Sequence, residues 1–364
     1  MRTMLSLSIA VFAVANICDA QSLSKSEILR VNRAIIAVGQ EQEAIGAAIG
    51  VLRGGRIAYV QAYGYSDREK MVEASTETMF NWASNSKPVM AILALKLVDQ
   101  GKLDLDADVR TYVPEFPEKD GIITTRHLLC HQSGIVHYSN GSVVGISLNP
   151  HRDRGLDSPL QGIKQFDRSP LLFAPGSKVS YSSYAYVLLS AVVERAGGRD
   201  LQSQLESEII KPLKLTSLTL DYPEIQDSWA TGYRRDKKSK KVQRTGEYPH
   251  YWKHGAGAYK SNIQDFARWG QALLNGELLS PDTQRLMYTQ QQLSDGTKTE
   301  RGLGITVELQ KRSRKLSHNG QQDEASTRLV LYPDAKHGVV VMSNCEFVDP
   351  GKFSSAVYDA LKSN

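Results

Sequence analysis

Residues 24–39 place Ile28, Leu29, Val31, Ile35 and Ile36 on one broad apolar stripe, the period of an amphipathic helix. Two strand-like runs follow at 47–53 and 56–63, and Gly54-Gly55 between them is a hairpin signal. Residues 87–100 carry Val89, Met90, Leu93, Leu97 and Val98 at helical spacing and stop at Gly101. Further helices are predicted at 125–131, 184–196, 201–210 and 262–274. Strands return at 328–332 and 338–343 around a Pro-Asp turn, and a last helix spans 353–361.

Hairpins at both ends and helices between them predict an α/β chain of the α+β type. One antiparallel sheet is built from both chain ends, about 25–70 and 300–364, with helices flanking it. A mostly helical region, about 75–290, is inserted, and 21–364 reads as a single domain. The polar stretch 139–170 lacks periodicity and reads as either a mobile loop or a lid over a site.

The 364 residues are 41% hydrophobic and 23% charged, which argues against disorder and fibrous repeats. A net charge of +5, from 44 basic and 39 acidic residues, is weak for a nucleic-acid binder. Part of that excess is the run 237–241 beside Arg234 and Arg235, read as a solvated hairpin tip. Residues 1–20 show a short basic start, an apolar run and a small residue before Gln21, the pattern of a secretory signal peptide. An exported, periplasmic or extracellular protein is therefore expected, in preference to a mitochondrial one. No later apolar run is long enough to span a bilayer. Three cysteines exclude a disulfide scaffold; beyond the leader, Cys130 and Cys345 read as small buried side chains, and their pairing is left open.

The chain has no Gly-x-Ser-x-Gly elbow and no Walker-type glycine loop. His127 and His131 stand four apart on an expected helix, but Leu128 occupies the place where a zincin needs Glu, so they read as structural and no metal is expected. The informative stretch runs from Phe80 to Pro88. Ser84 and Lys87 make a Ser-x-x-Lys tetrad that puts both side chains on one face of a first helical turn. A serine hydroxyl needs an adjacent base, and lysine serves only if burial and cationic neighbours lower its pKa. The helix N-terminus also offers N–H groups to a developing oxyanion. The tetrad recurs at Ser22–Lys25, in a polar leader with no apolar helix behind its lysine, so context selects the second copy.

Phe80 to Lys87, the apolar helix after it and Gly101-Lys102-Leu103-Asp104-Leu105-Asp106 resemble the serine β-lactamase and penicillin-binding protein superfamily. Within it the likeness is to the class C β-lactamase and D-aminopeptidase/esterase branch. Residues 125–134 are similar to that branch's helix and turn, and Phe173-Ala174-Pro175-Gly176 leads into Tyr181-Ser182-Ser183 in the place of Tyr-x-Asn. Gly255-Ala256-Gly257 with Ser261 and 265–268 resembles another shared block, and His318-Asn319-Gly320 stands where the family has Lys-Thr-Gly or His-Thr-Gly. The stretch 106–119 is very like that of the mitochondrial serine β-lactamase-like proteins and their bacterial relatives. The resemblance covers about residues 25 to 362 and implies a β-lactamase/transpeptidase-like fold.

It also implies roles. Ser84 would be the acyl-forming nucleophile. Lys87 would take its proton, directly or shared with Tyr181, and Tyr181 would pass a proton to the leaving atom. His318 would replace the family's lysine and polarise Tyr181 or hold a substrate carboxylate. Ser183, Asn319, Gly320 and Gln321 would bind substrate, with the N–H groups of Ser84 and Gln321 as an oxyanion hole. Ser183 for Asn removes one amide arm, and Asn319 replaces Thr. Residues 321–324 put Asp323 and Glu324 at the mouth, where they suit a cationic group or form a solvated turn. These departures argue against strong β-lactam turnover more than against acylation.

The expected function is an exported serine hydrolase forming an acyl-enzyme on Ser84, acting on amide bonds as a D-aminopeptidase-, carboxypeptidase- or β-lactamase-like peptidase. The alternatives are an esterase on small acyl esters, and a non-catalytic penicillin-binding or filament-forming scaffold. No metal or organic cofactor is required. The expected partner is a small-molecule or peptide substrate, without nucleic acid or stable membrane insertion, and a homo-oligomer is left open.

Overall fold

The computed structural model describes residues 22–146, 158–220, 228–246, 251–311 and 313–362. The expected leader, 1–20, lies outside the described residues, as does 147–157 of the expected loop or lid.

Helix α1 (Lys25–Gln42) precedes a hairpin of β1 (Gly46–Arg53) and β2 (Arg56–Asp67), edged by β3 (Val72–Glu73). Strand β4 (Phe80–Asn81) enters a 3-10 turn, Ala83–Asn85, and then α2 (Ser86–Asp99). The helical region continues with α3 (Thr125–Leu129), α4 (Pro159–Gly162), α5 (Ser183–Gly197), α6 (Leu201–Leu205) and α7 (Lys211–Leu213). Short strands β5 (Thr219–Leu220), β6 (Tyr233–Arg235), β7 (Val242–Arg244) and β8 (Tyr259–Ser261) precede α8 (Ile263–Asn275) and α9 (Pro281–Met287). The chain returns as β9 (Thr306–Gln310), β10 (Ser313–Gln322), β11 (Ala325–Tyr332) and β12 (His337–Ser343), then α10 (Pro350–Lys362).

The sheet order is β3-β2-β1-β12-β11-β10-β9, antiparallel throughout. The first hairpin and the last strands therefore pair, as the pattern at the two ends predicts. Gly54 and Gly55 both take positive φ (58° and 74°), the mirror-image turn whose twist suits a two-residue hairpin. The central strands are apolar on both faces because both are covered. Ala47, Ile49, Val51, Val339 and Val341 pack with Val31 and Ile35 of α1 and Phe353 and Val357 of α10. Ala48, Leu52, Val340 and Met342 face the larger core with α2, α5 and α8. At roughly 1.5–3 kcal/mol per buried aliphatic side chain, these two layers dominate the stabilisation.

Three expectations need correcting. Leu29 is 57% exposed, so the stripe on α1 is narrower and centres on Val31 and Ile35. The helix expected at 201–210 passes from α6 into a π-turn at Glu206–Ile210. The helix expected at 125–131 stops at Leu129, and His131 sits beyond it with φ 59°. His127 and His131 therefore do not share a helical face; His127 Nδ1 instead accepts the Thr124 N–H at 3.3 Å as part of the α3 cap. The basic run forms the tip of the β6–β7 hairpin, as expected. Cys130 and Cys345 are both buried and both free.

Candidate active site

The turn that carries Ser84 is held from four sides. Ala83 takes φ 47°, a strained conformation for a residue with a side chain, and its N–H donates to Asn81 Oδ1 at 2.6 Å. Ser86 Oγ donates to Ala83 O at 2.7 Å. Thr327 Oγ1 on β11 donates to Trp82 O at 2.8 Å and accepts from Asn85 Nδ2 at 2.8 Å. The Trp82 ring is buried and donates to Ser261 Oγ at 2.7 Å. Strain in the turn is thus over-determined by bonds to β4, β8 and β11. Ser84 lies in the 3-10 turn, one step before the α-helix on which its spacing to Lys87 was expected.

Lys87 is fully buried at the start of α2. Its Nζ lies 3.0 Å from Ser84 Oγ, 3.2 Å from Ser183 Oγ and 2.6 Å from Ala256 O. Burial pushes its pKa well below the usual lysine value, because the charged form loses its water. Tyr181 donates its phenol proton to Ser84 Oγ at 2.7 Å, and burial raises its pKa to about 12 against the opposing bonds to Ser84 and Ser183. At neutral pH Tyr181 is a phenol rather than a phenolate.

The opposite wall is β10. His318, Gly320 and Gln322 share one face of the strand, and Asn319 and Gln321 the other. A methyl group on Gly320 would sit 2.4 Å from Trp82 O and 2.3 Å from Thr327 Oγ1, so glycine is what lets β10 pass against the turn that carries Ser84. His318 is buried on that face, and burial is the leading cause that holds its pKa down to about 3. Its Nδ1 lies 2.9 Å from Asn319 O.

Of the eight residues singled out from sequence, Ser84, Lys87, Tyr181 and Ser183 converge within hydrogen-bond contact, and His318 and Gly320 line the facing strand. Ser183 Oγ points at Lys87 inside the wall. The side chains of Asn319 and Gln321 turn away: Asn319 Oδ1 accepts from Arg328, and Gln321 Nε2 donates to Glu346 O at 3.0 Å. Gln321 can therefore contribute to this site only through its backbone.

The sequence is matched over residues 31–362 by the model of the family described as Beta-lactamase. The chain belongs to the Beta-lactamase family. Among relatives of this family, the human mitochondrial serine beta-lactamase-like protein LACTB is 25% identical over 95% of this chain and 80% of its own length. Esterase EstB of Burkholderia gladioli is 38% identical over 48% of this chain and 46% of its own. Among solved structures, a D-stereospecific amidohydrolase from Streptomyces superposes with a TM-score of 0.75 at 25% identity, covering 91% of this chain and 98% of that one. An octameric penicillin-binding protein homologue from Pyrococcus abyssi gives 0.77 at 22%, over 92% and 77%. The β-lactamase/transpeptidase-like fold is therefore shown, and the chain is a serine hydrolase.

Sequence reasoning placed Asp323 and Glu324 at the mouth of the site of this Beta-lactamase family member but missed Lys253 and the two histidines beside Tyr181. Lys253 Nζ donates to Gln322 Oε1 at 3.3 Å, at the rim beside the turn. Gln322 Nε2 and Asn81 Nδ2 each lie 3.4 Å from Glu324 Oε1, which draws Glu324 into a belt along the rim, while Asp323 stays in the exposed turn. His131 and His137 contact Tyr181, and no local pattern signals either contact.

Proposed function

We propose that the protein hydrolyses acyl compounds through an acyl-enzyme on Ser84, with amide substrates of the peptidase kind as the main reading. The observation that carries it is the double contact on Ser84 Oγ, with Lys87 Nζ at 3.0 Å and Tyr181 OH at 2.7 Å. A neutral amine has two N–H donors and one lone pair. Ala256 O and Ser183 Oγ take the donors, which leaves the lone pair for the Ser84 proton. Burial favours that neutral form.

Ser84 Oγ attacks the substrate carbonyl, and its proton moves to Lys87. The carbonyl oxygen becomes an oxyanion facing the N–H groups of Ser84 and Gln321. As the C–N or C–O bond breaks, Tyr181 gives its proton to the departing atom and regains one from the Lys87 ammonium. Water then attacks the ester; its proton passes to Lys87 and returns to Ser84 as the acid leaves.

A second reading, an esterase on small acyl esters, is favoured by Ser183, whose hydroxyl cannot grip a substrate amide as an Asn side chain would. The leader pattern of residues 1–20 supports action outside the cytoplasm, in the periplasm or extracellular space. Incubation with a fluorescent penicillin or a fluorophosphonate, then mass mapping, tests the acyl-enzyme. A label on Ser84, lost in Ser84→Ala, is expected; an unlabelled folded protein overturns the reading. Relative turnover of an amino-acid anilide, a p-nitrophenyl ester and a chromogenic cephalosporin separates the two readings.

A further inference from the structure

Two histidines surround Tyr181, and the reaction above uses neither. The His131 ring lies on the Tyr181 ring with centroids 4.4 Å apart and 38° between planes. The His137 ring meets it edge-on at 5.5 Å and 87°. Each also holds backbone. His131 O accepts the Ser180 N–H at 2.9 Å and His131 Nδ1 accepts the Ser182 N–H at 3.3 Å, so this residue grips the chain on both sides of Tyr181. His137 Nδ1 accepts the Ser183 N–H at 3.2 Å, the next donor along the start of α5.

Those N–H groups are free donors at a helix start and need acceptors. A backbone N–H can only donate, so both imidazoles present a bare Nδ1 and carry their proton on Nε2. The surroundings keep them neutral. Burial first, with the Lys253 cation adding to it, brings the pKa of His137 down to about 4. Burial is also the leading cause for His131, with the Arg301 cation next. His131 adopts its left-handed backbone, φ 59°, in a fully packed setting, a strain that persists only where surroundings fix it.

We propose that His131 and His137 are positioning residues that clamp Tyr181 and hold its phenol against Ser84. This rests on the acyl-enzyme reading for its effect on rate, but not for the clamp itself. The phenol–hydroxyl contact is 2.7 Å long, and Tyr181 stands just ahead of α5 rather than within it, so the helix alone does not fix it. Small displacements of a proton-transfer group are costly to rate. Ser182 Oγ supports the same corner, donating to Val136 O at 2.7 Å and accepting from the Ala185 N–H at 3.0 Å.

The test uses His137, the more accessible of the pair. His137→Phe keeps a ring beside Tyr181 but removes the acceptor, and His137→Asn keeps an acceptor near the Nδ1 position but removes the ring. Each is made in the wild-type and Tyr181→Phe backgrounds, and acylation by an amino-acid p-nitroanilide, whose nitrogen must be protonated to leave, is followed by stopped flow. His137→Phe is expected to slow acylation about tenfold at unchanged KM, the scale of one lost hydrogen bond. His137→Asn should recover to within about threefold. In the Tyr181→Phe background, His137→Phe should cost nothing further. Losses that multiply in the double variant, or an Asn variant as slow as Phe, overturn the proposal. Amide hydrogen exchange at Ser182 and Ser183 reads the clamp without catalysis. It should speed up in His137→Phe and recover in His137→Asn, and unchanged exchange overturns the clamp even in an active enzyme. Wild-type protein that takes no label on Ser84 would instead refute the acyl-enzyme reading while leaving the exchange result to judge the clamp.

Discussion

On the helix side of the site, Ser84, Lys87, Tyr181 and Ser183 are joined by contacts of 2.7–3.2 Å, all of them buried or partly buried. On the β10 side, alternate side chains leave the site altogether, and the rim is a chain of longer polar contacts from Lys253 through Gln322 to Glu324, at 3.3 and 3.4 Å. In the proposed reaction the first wall moves the proton, where position is everything. The second presents replaceable side chains on a fixed backbone, and there this sequence departs from the family triplet. In that reading, chemistry and specificity sit on different elements: one interior, one at a strand end.

The comparison breaks most sharply at the helix wall. Ser84→Ala should abolish labelling, and Lys87→Met should lower kcat/KM by about 10³-fold or more. Residual turnover near wild type in either variant would place the chemistry elsewhere. Lys87 also sets a pH signature. Burial favours its neutral form, so activity should be present above its lowered pKa and fall as pH drops through it. His318 and His137, with pKa values of about 3 and about 4, are already neutral over most of that range. A profile of kcat/KM from pH 4 to 10 checks this, and an acid limb unchanged in slow but active Lys87 variants would exclude the lysine. Tyr181→Phe should cost about 10²–10⁴-fold in acylation with binding little altered, measured by single-turnover kinetics.

At the meeting of the two walls, Gly320→Ala should push β10 from the turn, because the added methyl meets Trp82 O and Thr327 Oγ1 at 2.4 and 2.3 Å. We expect a loss of about 10–100-fold in kcat, since displacement by about 1 Å is enough for that. Wild-type activity in a folded variant would show that β10 is not needed so close. The smallest effect belongs to the rim. Gln322→Ala should change KM by only a few-fold, with kcat held, on the scale of about 1 kcal/mol for its long, partly buried polar contacts at the rim. A large kcat loss there would erase the division between the walls. Away from catalysis, Asn85→Ala should lower stability by about 1–3 kcal/mol in denaturant titration, because it strips the Thr327 hydroxyl of a buried donor.

Much of this was legible in the sequence for specific reasons. Gly54-Gly55 and the alternating runs beside it predicted the hairpin, and the return of strands after 300 predicted a sheet from both ends. The Ser84–Lys87 spacing placed the two side chains in contact because three residues on a helical turn bring side chains together whatever surrounds them. Tyr181 and His318 were reached through ordered motifs rather than local physics. His131 was read as one of a helical pair with His127, and that failed because α3 ends at Leu129 and His131 turns into the left-handed region. His137 and Lys253 gave no signal, since each matters through a partner far away in the chain.

The order of residues alone determined most of the longer helices, the first hairpin and the last two strands, and which serine has a lysine within one turn of it. Hydrophobic period and turn chemistry act between near neighbours and need no further context. The tertiary structure decided which face of β10 meets Ser84, that Ser183 serves Lys87 and that Lys87 loses its water. Those outcomes depend on segments about a hundred to more than two hundred residues apart being packed together, and burial and long-range contact exist only once the chain has folded.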